Sequence, residues 1–509
     1  MLDIVTLNGY NIKDEKAVRS YESIASMKAD TKLKEGYHVK TKGYYEANDG
    51  GHGEYVIVDD DTLVDDGGSI HVLSNGLRAN LIIDNYITPE VFGAYGDGIH
   101  DDTNAFISAI NTEYNIIGDI TKTYKLNYID TNKDISISNC NFYSDAFEST
   151  TNVKFFIRTT STNVNFNNCT FTSSFDYVPV INIINGLNTG LASNVIAIRS
   201  ENGCKITNCK FNTIYGIDSR GKTIIDNCTF NEVEMGILIN ANNDINITNC
   251  NFIMNRLVNS QYYHALYVQQ AQNFIANNII ISETNEGECG DHLHFKNPSV
   301  ATTTTPKAII SNCIINGDMS FAYLSQNNSA NLEINNLKYN GTTYGALQTT
   351  DSGKFTINNS NINCAGAILF NCYGLIKVNN SIFNCTNSTL QLATRCNMEI
   401  NNSSIISTGD INMSRDIGSL SHNMFNCRIK ANSVTSLNCG GNGTVNNIMN
   451  CLYELTTGDL NLSGRGYTSG VIRNSTNPSS MGTVADHNSY SLVVYQSNTY
   501  FKKIESLLS

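Results

Sequence analysis

The chain has 509 residues with 15 cysteines, only 5 prolines, no tryptophan and a formal net charge of −13. That charge argues against nucleic acid or an anionic membrane surface as a partner, and no apolar run approaches the ~18 residues of a membrane helix. The cysteines are odd in number and include no Cys-x-x-Cys pair, so they read as buried thiols acting as small hydrophobes, not as a disulfide frame or a zinc site.

The opening Met1-Leu2-Asp3-Ile4 lacks the basic and apolar regions of a signal peptide, which predicts synthesis in a reducing cytoplasm and exit by lysis or within a particle. Residues 1–88 read as a small module of their own. Ile24, Met27 and Lys28 set a short helical pattern within 21–30, and alternation predicts strands over 37–41 and 54–58 around the glycine turn Asn48-Asp49-Gly50-Gly51. Asp59-Asp60-Asp61 and Asp65-Asp66 read as solvated acidic loops in preference to a calcium site. In Phe92-Gly-Ala-Tyr-Gly-Asp-Gly-Ile-His-Asp-Asp-Thr103, the glycines permit a tight turn. Asp101, Asp102 or Thr103 then caps a helix near 102–111, whose Phe106, Ile107 and Ile110 share a face.

A four-residue phrase then recurs: Asn139-Cys-Asn-Phe142, Asn168-Cys-Thr-Phe171, Asn208-Cys-Lys-Phe211, Asn227-Cys-Thr-Phe230 and Asn249-Cys-Asn-Phe252. It loosens to Asn312-Cys-Ile-Ile315, Asn359-Ser-Asn-Ile362, Asn380-Ser-Ile-Phe383 and Asn402-Ser-Ser-Ile405, with an apolar residue two before each Asn. From Cys209 to Cys228 is 19 residues and from Cys228 to Cys250 is 22, a solenoid period. Alternation with β-branched residues and Phe makes the repeats strands, and insertions of variable length between them fit the coils of a parallel β-helix. A leucine-rich horseshoe is excluded by the missing Leu-x-x-Leu-x-Leu pattern. Stacked at a corner, each Asn amide can bond the next, while Cys and Phe stack inward. The helix near 102–111 is expected to cover the open first coil of this solenoid, protecting its strand edges.

A second strand of each coil begins with a small residue: Tyr215-Gly-Ile-Asp-Ser-Arg220, Met235-Gly-Ile-Leu-Ile-Asn240, His264-Ala-Leu-Tyr-Val-Gln269 and Asp291-His-Leu-His-Phe-Lys296. Stacking these turns Ile217, Ile237, Leu266 and Leu293 inward and sets Asp218, Leu238, Tyr267 and His294 in an outward column. Arg220, Asn240, Gln269 and Lys296 form a second column. Any chemistry is expected on this face, with Asp218, Glu232, Glu234 and His294 as catalytic candidates. Arg220, Arg256, His264, Tyr267, Gln269, His292 and Lys296 are the substrate-binding candidates. Glycoside hydrolysis needs two carboxyl groups about 5–9.5 Å apart, whereas a lyase needs a base such as Tyr267 or a histidine plus a cation to neutralise a uronate. Outward Asp, Arg and Lys also occur on any solvated sheet, and His292 with His294 lacks an obvious third metal ligand. No cofactor is called for. Beyond residue 451 the repeats stop: Gly464-Arg-Gly-Tyr467 reads as loop and 490–504 as a hairpin with Leu492, Val494, Tyr500 and Phe501.

The segment Phe92–Thr103 resembles the opening signature of the pectate-lyase-like superfamily of right-handed β-helices, shared by phage tailspikes, polygalacturonases and epimerase-like proteins. The stretch before it, with Gly43-Tyr44-Tyr45 and Asp49-Gly50-Gly51, resembles modules ahead of such helices in tail proteins of phages infecting Gram-positive bacteria. The resemblance implies an all-β right-handed parallel β-helix over 89–451, between a tail-attachment module at 1–88 and a capping or trimerisation element at 452–509. It also implies a homotrimer in the virion tail, joined to the tail or baseplate through the module, that binds and depolymerises a bacterial surface polysaccharide. Hydrolysis is slightly favoured over elimination; the alternative is a tail adhesin of the same fold without catalysis.

Overall fold

The structure, a computed structural model, describes residues 18–145, 154–173, 195–213, 215–233, 235–240, 243–254, 264–283, 291–296, 307–317, 331–341, 354–365, 374–386, 397–414, 421–435 and 445–456, with shorter strand segments between and beyond these. The chain divides into two compact units, 1–213 and 214–509.

The first unit opens with a five-stranded sheet in the order Arg19–Tyr21, His38–Thr41, Gly53–Val58, Arg78–Leu81, Ile70–Val72. Helix α1, Ile24–Lys28, starts at Ser23, whose hydroxyl accepts from the Ser26 N–H while the Ser26 side chain reciprocates. Its Ile24 and Met27 join Val39, Tyr55, Ile57 and Ala79 in a closed core. The aspartates expected to be solvated brace a loop: Asp66 accepts from the N–H groups of Gly68 and Ile70, and Asp65 from those of Gly67 and Val72.

Coiling begins earlier than residue 89. Tyr86–Ile87 pairs in parallel with Asn115–Ile117, and Asp97–Asp101, expected as turn, is a strand alongside Thr123–Lys125. Helix α2, Thr103–Asn111, buries Phe106 and Ile110 but leaves Ile107 half-exposed. Phe106 meets Tyr124 and Phe142 edge-on at 5.1 and 5.2 Å, so the helix covers the inside of the first coils. Asp102, at the helix start, makes no cap bond to it. Its buried carboxylate accepts instead from the N–H groups of Tyr95, Gly96 and Lys125, tying turn to strand, while Asp101 accepts from the Thr103 N–H. Successive coils stack in register: Ile137 opposite Phe166 and then Ile206, Phe142 opposite Phe171 and then Phe211.

The second unit repeats this plan. In the described coils the corner between the two strand runs of the larger sheet turns on an asparagine with positive φ, from Asn227 at 52° to Asn450 at 55°. Asparagine tolerates that left-handed region because its short side chain hydrogen-bonds locally. The amides form ladders: Asn278 to Asn249 at 2.8 Å, Asn312 to Asn277 at 2.8 Å, Asn336 to Asn312 at 2.9 Å. Flanking ladders run through Asn335, Asn358, Asn379 and Asn401, and through Asn316, Asn340, Asn363 and Asn384.

The residue after each corner points inward. Cys250 donates its thiol to the Thr248 carbonyl two residues back; Ser360 and Ser381 do the same with hydroxyls and also accept the N–H of the preceding coil's counterpart. Serine fits where cysteine stands in other coils because both are small groups that donate and accept, while Ile279 and Leu337 fill the same position with buried apolar bulk alone. Phe230 stacks on Phe252 at 4.5 Å.

A second boundary also differs from expectation. The parallel ladder does not stop at 451: the strand Val445–Leu455 spans that point and pairs in parallel with Tyr467–Asn474, which pairs with Ser489–Ser497. The terminal hairpin is present, Ser489–Ser497 antiparallel to Tyr500–Ile504. Most of the Gly464–Tyr467 loop lies outside the described residues.

Candidate functional site

The site sheet of the second unit runs through Tyr215–Ser219, Met235–Asn240, His264–Gln270, Asp291–Lys296, Ser320–Ser325, Leu347–Thr349 and Ile368–Asn371. The small residues that open its strands have a steric cause. A Cβ on Gly216 would sit 2.5 Å from the Gly236 carbonyl and 2.7 Å from the Phe230 ring, and one on Gly236 would meet Phe252 in the same way.

The register is the one read from alternation. Asp218 lies opposite Leu238, Leu238 opposite Tyr267, and Tyr267 opposite His294, with Ile217, Ile237, Leu266 and Leu293 beside them. The column continues into Tyr323, Gln348 and Asn371. The second column is broken. A bulge at Gln269 sets Gln270, not Gln269, opposite Asn240, because one extra residue on that strand shifts the pairing by a step.

Pointing away from the core did not bring full exposure. Asp218 is 3 % exposed, with Arg220 Nη2 3.7 Å from its carboxylate. His264 and Tyr267 are buried with their rings stacked at 5.1 Å, and the half-buried His294 ring closes the group at 4.8 Å from His264 and 4.7 Å from Tyr267. His264, Tyr267 and His294 thus form a three-ring cluster, while Asp218 and Arg220 form an ion pair two strands away.

Two of the catalytic candidates, Asp218 and His294, stand apart on the sheet. Asp218 and His294 are separated by three strand spacings, about 14 Å, too far for direct proton transfer. Glu232 is an exposed bulge residue with φ 52°, between the paired Asn231 and Val233 on a neighbouring sheet. Among the described residues of this column in the second unit, Asp218 is the one carboxylate. Glu234 and Arg256 lie outside the described residues, as do the side chains of His292 and Lys296. Glu283 packs its carboxylate where a side chain at Gly317 would otherwise go, 2.5–2.7 Å from that Cβ position. Among the described residues, no three His, Cys, Asp or Glu side chains are placed to hold a metal ion.

A polar column that the sequence reading passed over lies in the first unit. Asp130, Arg158 and Arg199 occupy one register position on successive strands. Arg158 bridges Asp130 and Glu201, each at 3.2 Å; Glu201 also receives Arg199 Nε at 2.9 Å, and Tyr128 donates to Asp130 at 3.0 Å. A signal was available: Ile129-Asp-Thr, Ile157-Arg-Thr, Ile198-Arg-Ser and Ile217-Asp-Ser are one phrase with a charged middle.

Residues 20–83 match the phage tail protein small four-stranded beta-sheet domain, and residues 193–362 match the right-handed beta-helix region. No curated protein matches the sequence. Similar solved structures include the full-length tailspike protein 2 of an Escherichia coli O157:H7 bacteriophage (12 % identity, TM-score 0.40, covering 82 % of this chain and 52 % of that one). Another is Pantoea stewartii WceF, described as a glycan biofilm modifying enzyme with a tailspike-like fold (13 %, 0.33, 98 % and 55 %). A third is PfbA, a surface adhesin of Streptococcus pneumoniae (13 %, 0.39, 83 % and 99 %). This chain therefore spans about half the length of the first two, and nothing is carried over from such distant likenesses. The two family matches and the observed coils agree: the chain joins a segment that matches a phage tail protein β-sheet domain to a right-handed parallel β-helix.

Proposed function

We propose that this chain is a receptor-binding protein of a phage tail, attached through the module at 20–83, that binds a bacterial surface polysaccharide along the sheet face from Asp218 to Asn371. The observation that carries the reading is the row of Tyr267 and His294 continuing into Gln348 and Asn371. Sugars combine apolar C–H faces with hydroxyls in every direction, so ring edges and neutral amides in a repeating row suit a repeating glycan. The repeat helps as well: strands about 4.8 Å apart offer successive sugars equivalent positions. Homotrimerisation belongs to the same reading.

Cleavage is the second reading, favoured by the buried Asp218 carboxylate beside the half-exposed Arg220. Asp218 supplies one carboxylate and the mechanism requires a partner, for which Glu232 and Glu234 stand as proposals, with His294 and Tyr267 as bases for elimination. The test is incubation of purified protein with cell-wall glycans and capsules of Gram-positive hosts, measuring binding and the mass of any released fragment. Binding without release supports the receptor alone. Fragments that have gained water mean hydrolysis, and an unsaturated end means a lyase. If no glycan of a wide panel binds, or Tyr267→Ala with His294→Ala leaves binding unchanged, the proposed face is wrong.

A further inference from the structure

Two faces of the second unit flank the asparagine corner, and each coil presents one outward residue three before the corner and another two after it. In five consecutive coils these two residues match in kind. Asn246 goes with Asn251, Ile275 with Ile280, Ile309 with Ile314, Glu333 with Lys338, and Thr356 with Asn361. The isoleucines are out of place on a solvated sheet: Ile275, Ile280 and Ile314 are 45, 41 and 38 % exposed. Stacking of like on like explains similarity along one face. It does not explain why the other face carries the complementary residue in the same coil.

From this match, and resting on the homotrimer reading, we propose that copies of this chain associate side by side, parallel and level, through these two faces. The face before the corner of one copy packs on the face after the corner of the next. Rotation about an axis parallel to the coil axis, without translation, keeps equal coils level. Ile275 and Ile309 then meet Ile280 and Ile314 of the neighbour, and Glu333 meets its Lys338. The contact joins unlike faces, so it closes only as a ring. A shift by one coil sets Glu333 against Ile314 in one direction, and Asn246 against Ile280 and Ile309 against Lys338 in the other, each placing polar groups on apolar ones, so the pattern also selects the register. The match ends after residue 364, where Lys377 stands level with Ile382.

The test is the mass in solution, by light scattering, of the full chain and three variants, with glycan binding measured on the same samples. Ile280→Asp with Ile314→Asp is expected to give monomers. Glu333→Lys is expected to weaken association about tenfold or more, and adding Lys338→Glu to recover most of that loss, as a charge swap across one contact should. All of these positions except Glu333 are exposed, so the β-sheet circular dichroism of each variant should be retained. An oligomer that none of the variants weakens overturns the assignment of these faces and leaves the trimer standing. A wild-type chain that stays monomeric at high concentration overturns both, while glycan binding by that monomer would leave the receptor reading intact.

Discussion

At the residue scale, the corner asparagines carry two burdens at once. Asn312 holds φ at 55°, donates to the Asn277 side chain and accepts from Asn336. Replacing it with alanine loses both bonds and keeps the left-handed strain, whereas glycine loses the bonds and relieves the strain. We expect Asn312→Ala to destabilise its coil by about 2 kcal/mol and Asn312→Gly by about 1. Hydrogen exchange of the amides over 307–316 measures this, and an equal or larger effect of glycine would refute the account. His71 is the other informative residue. It is 1 % exposed, with the Tyr55 ring 5.5 Å away, and burial pushes its pKa down to about 4 although Asp65 works the other way. The folded module therefore prefers the neutral ring. Its stability is full above the unfolded value near 6.5 and falls as pH drops toward 4, by up to about 3 kcal/mol. The urea midpoint for oxidation of Met27, buried in the same core, should fall over that window and level out in His71→Phe.

At the element scale, the start of the β-helix depends on Asp102 more than on the helix it precedes. Its carboxylate accepts from three N–H groups, of Tyr95, Gly96 and Lys125, and Asp102 is 1 % exposed. Alanine there leaves these donors without an acceptor in the protein interior, at a cost of about 3 kcal/mol. Faster exchange of the amides of residues 95, 96 and 125 should report it, with α2 itself opening less. The inward position after each corner makes the opposite prediction. Serine and cysteine both occur there with the same bond to the carbonyl two residues back, so Cys250→Ser should change stability by less than about 1 kcal/mol, read from exchange of the adjoining coil.

At the scale of the whole molecule, function depends on faces that exist only by repetition. If the site sheet binds a glycan, Tyr267→Ala should weaken binding about tenfold by removing the ring that packs against His264 and His294, whereas Lys338→Ala should leave it unchanged. Isothermal titration with a glycan found to bind would check both. Asp218→Asn separates the readings further, abolishing fragment release if Asp218 takes part in cleavage and sparing binding.

Local rules made much of this legible in the sequence. Period, corner residue, inward Cys and Phe and the Asp218–Leu238–Tyr267–His294 register all derive from alternation and from the few side chains that tolerate a left-handed corner. Such constraints recur with every coil and reinforce one another. The burial of Asp218, the bulges at Glu232 and Gln269 and the role of Asp102 came only with the tertiary structure. These depend on what a neighbouring coil, tens of residues away, packs against each side chain. Periodicity gives the direction of a side chain from its own strand; its exposure and its partners are set by the other coils.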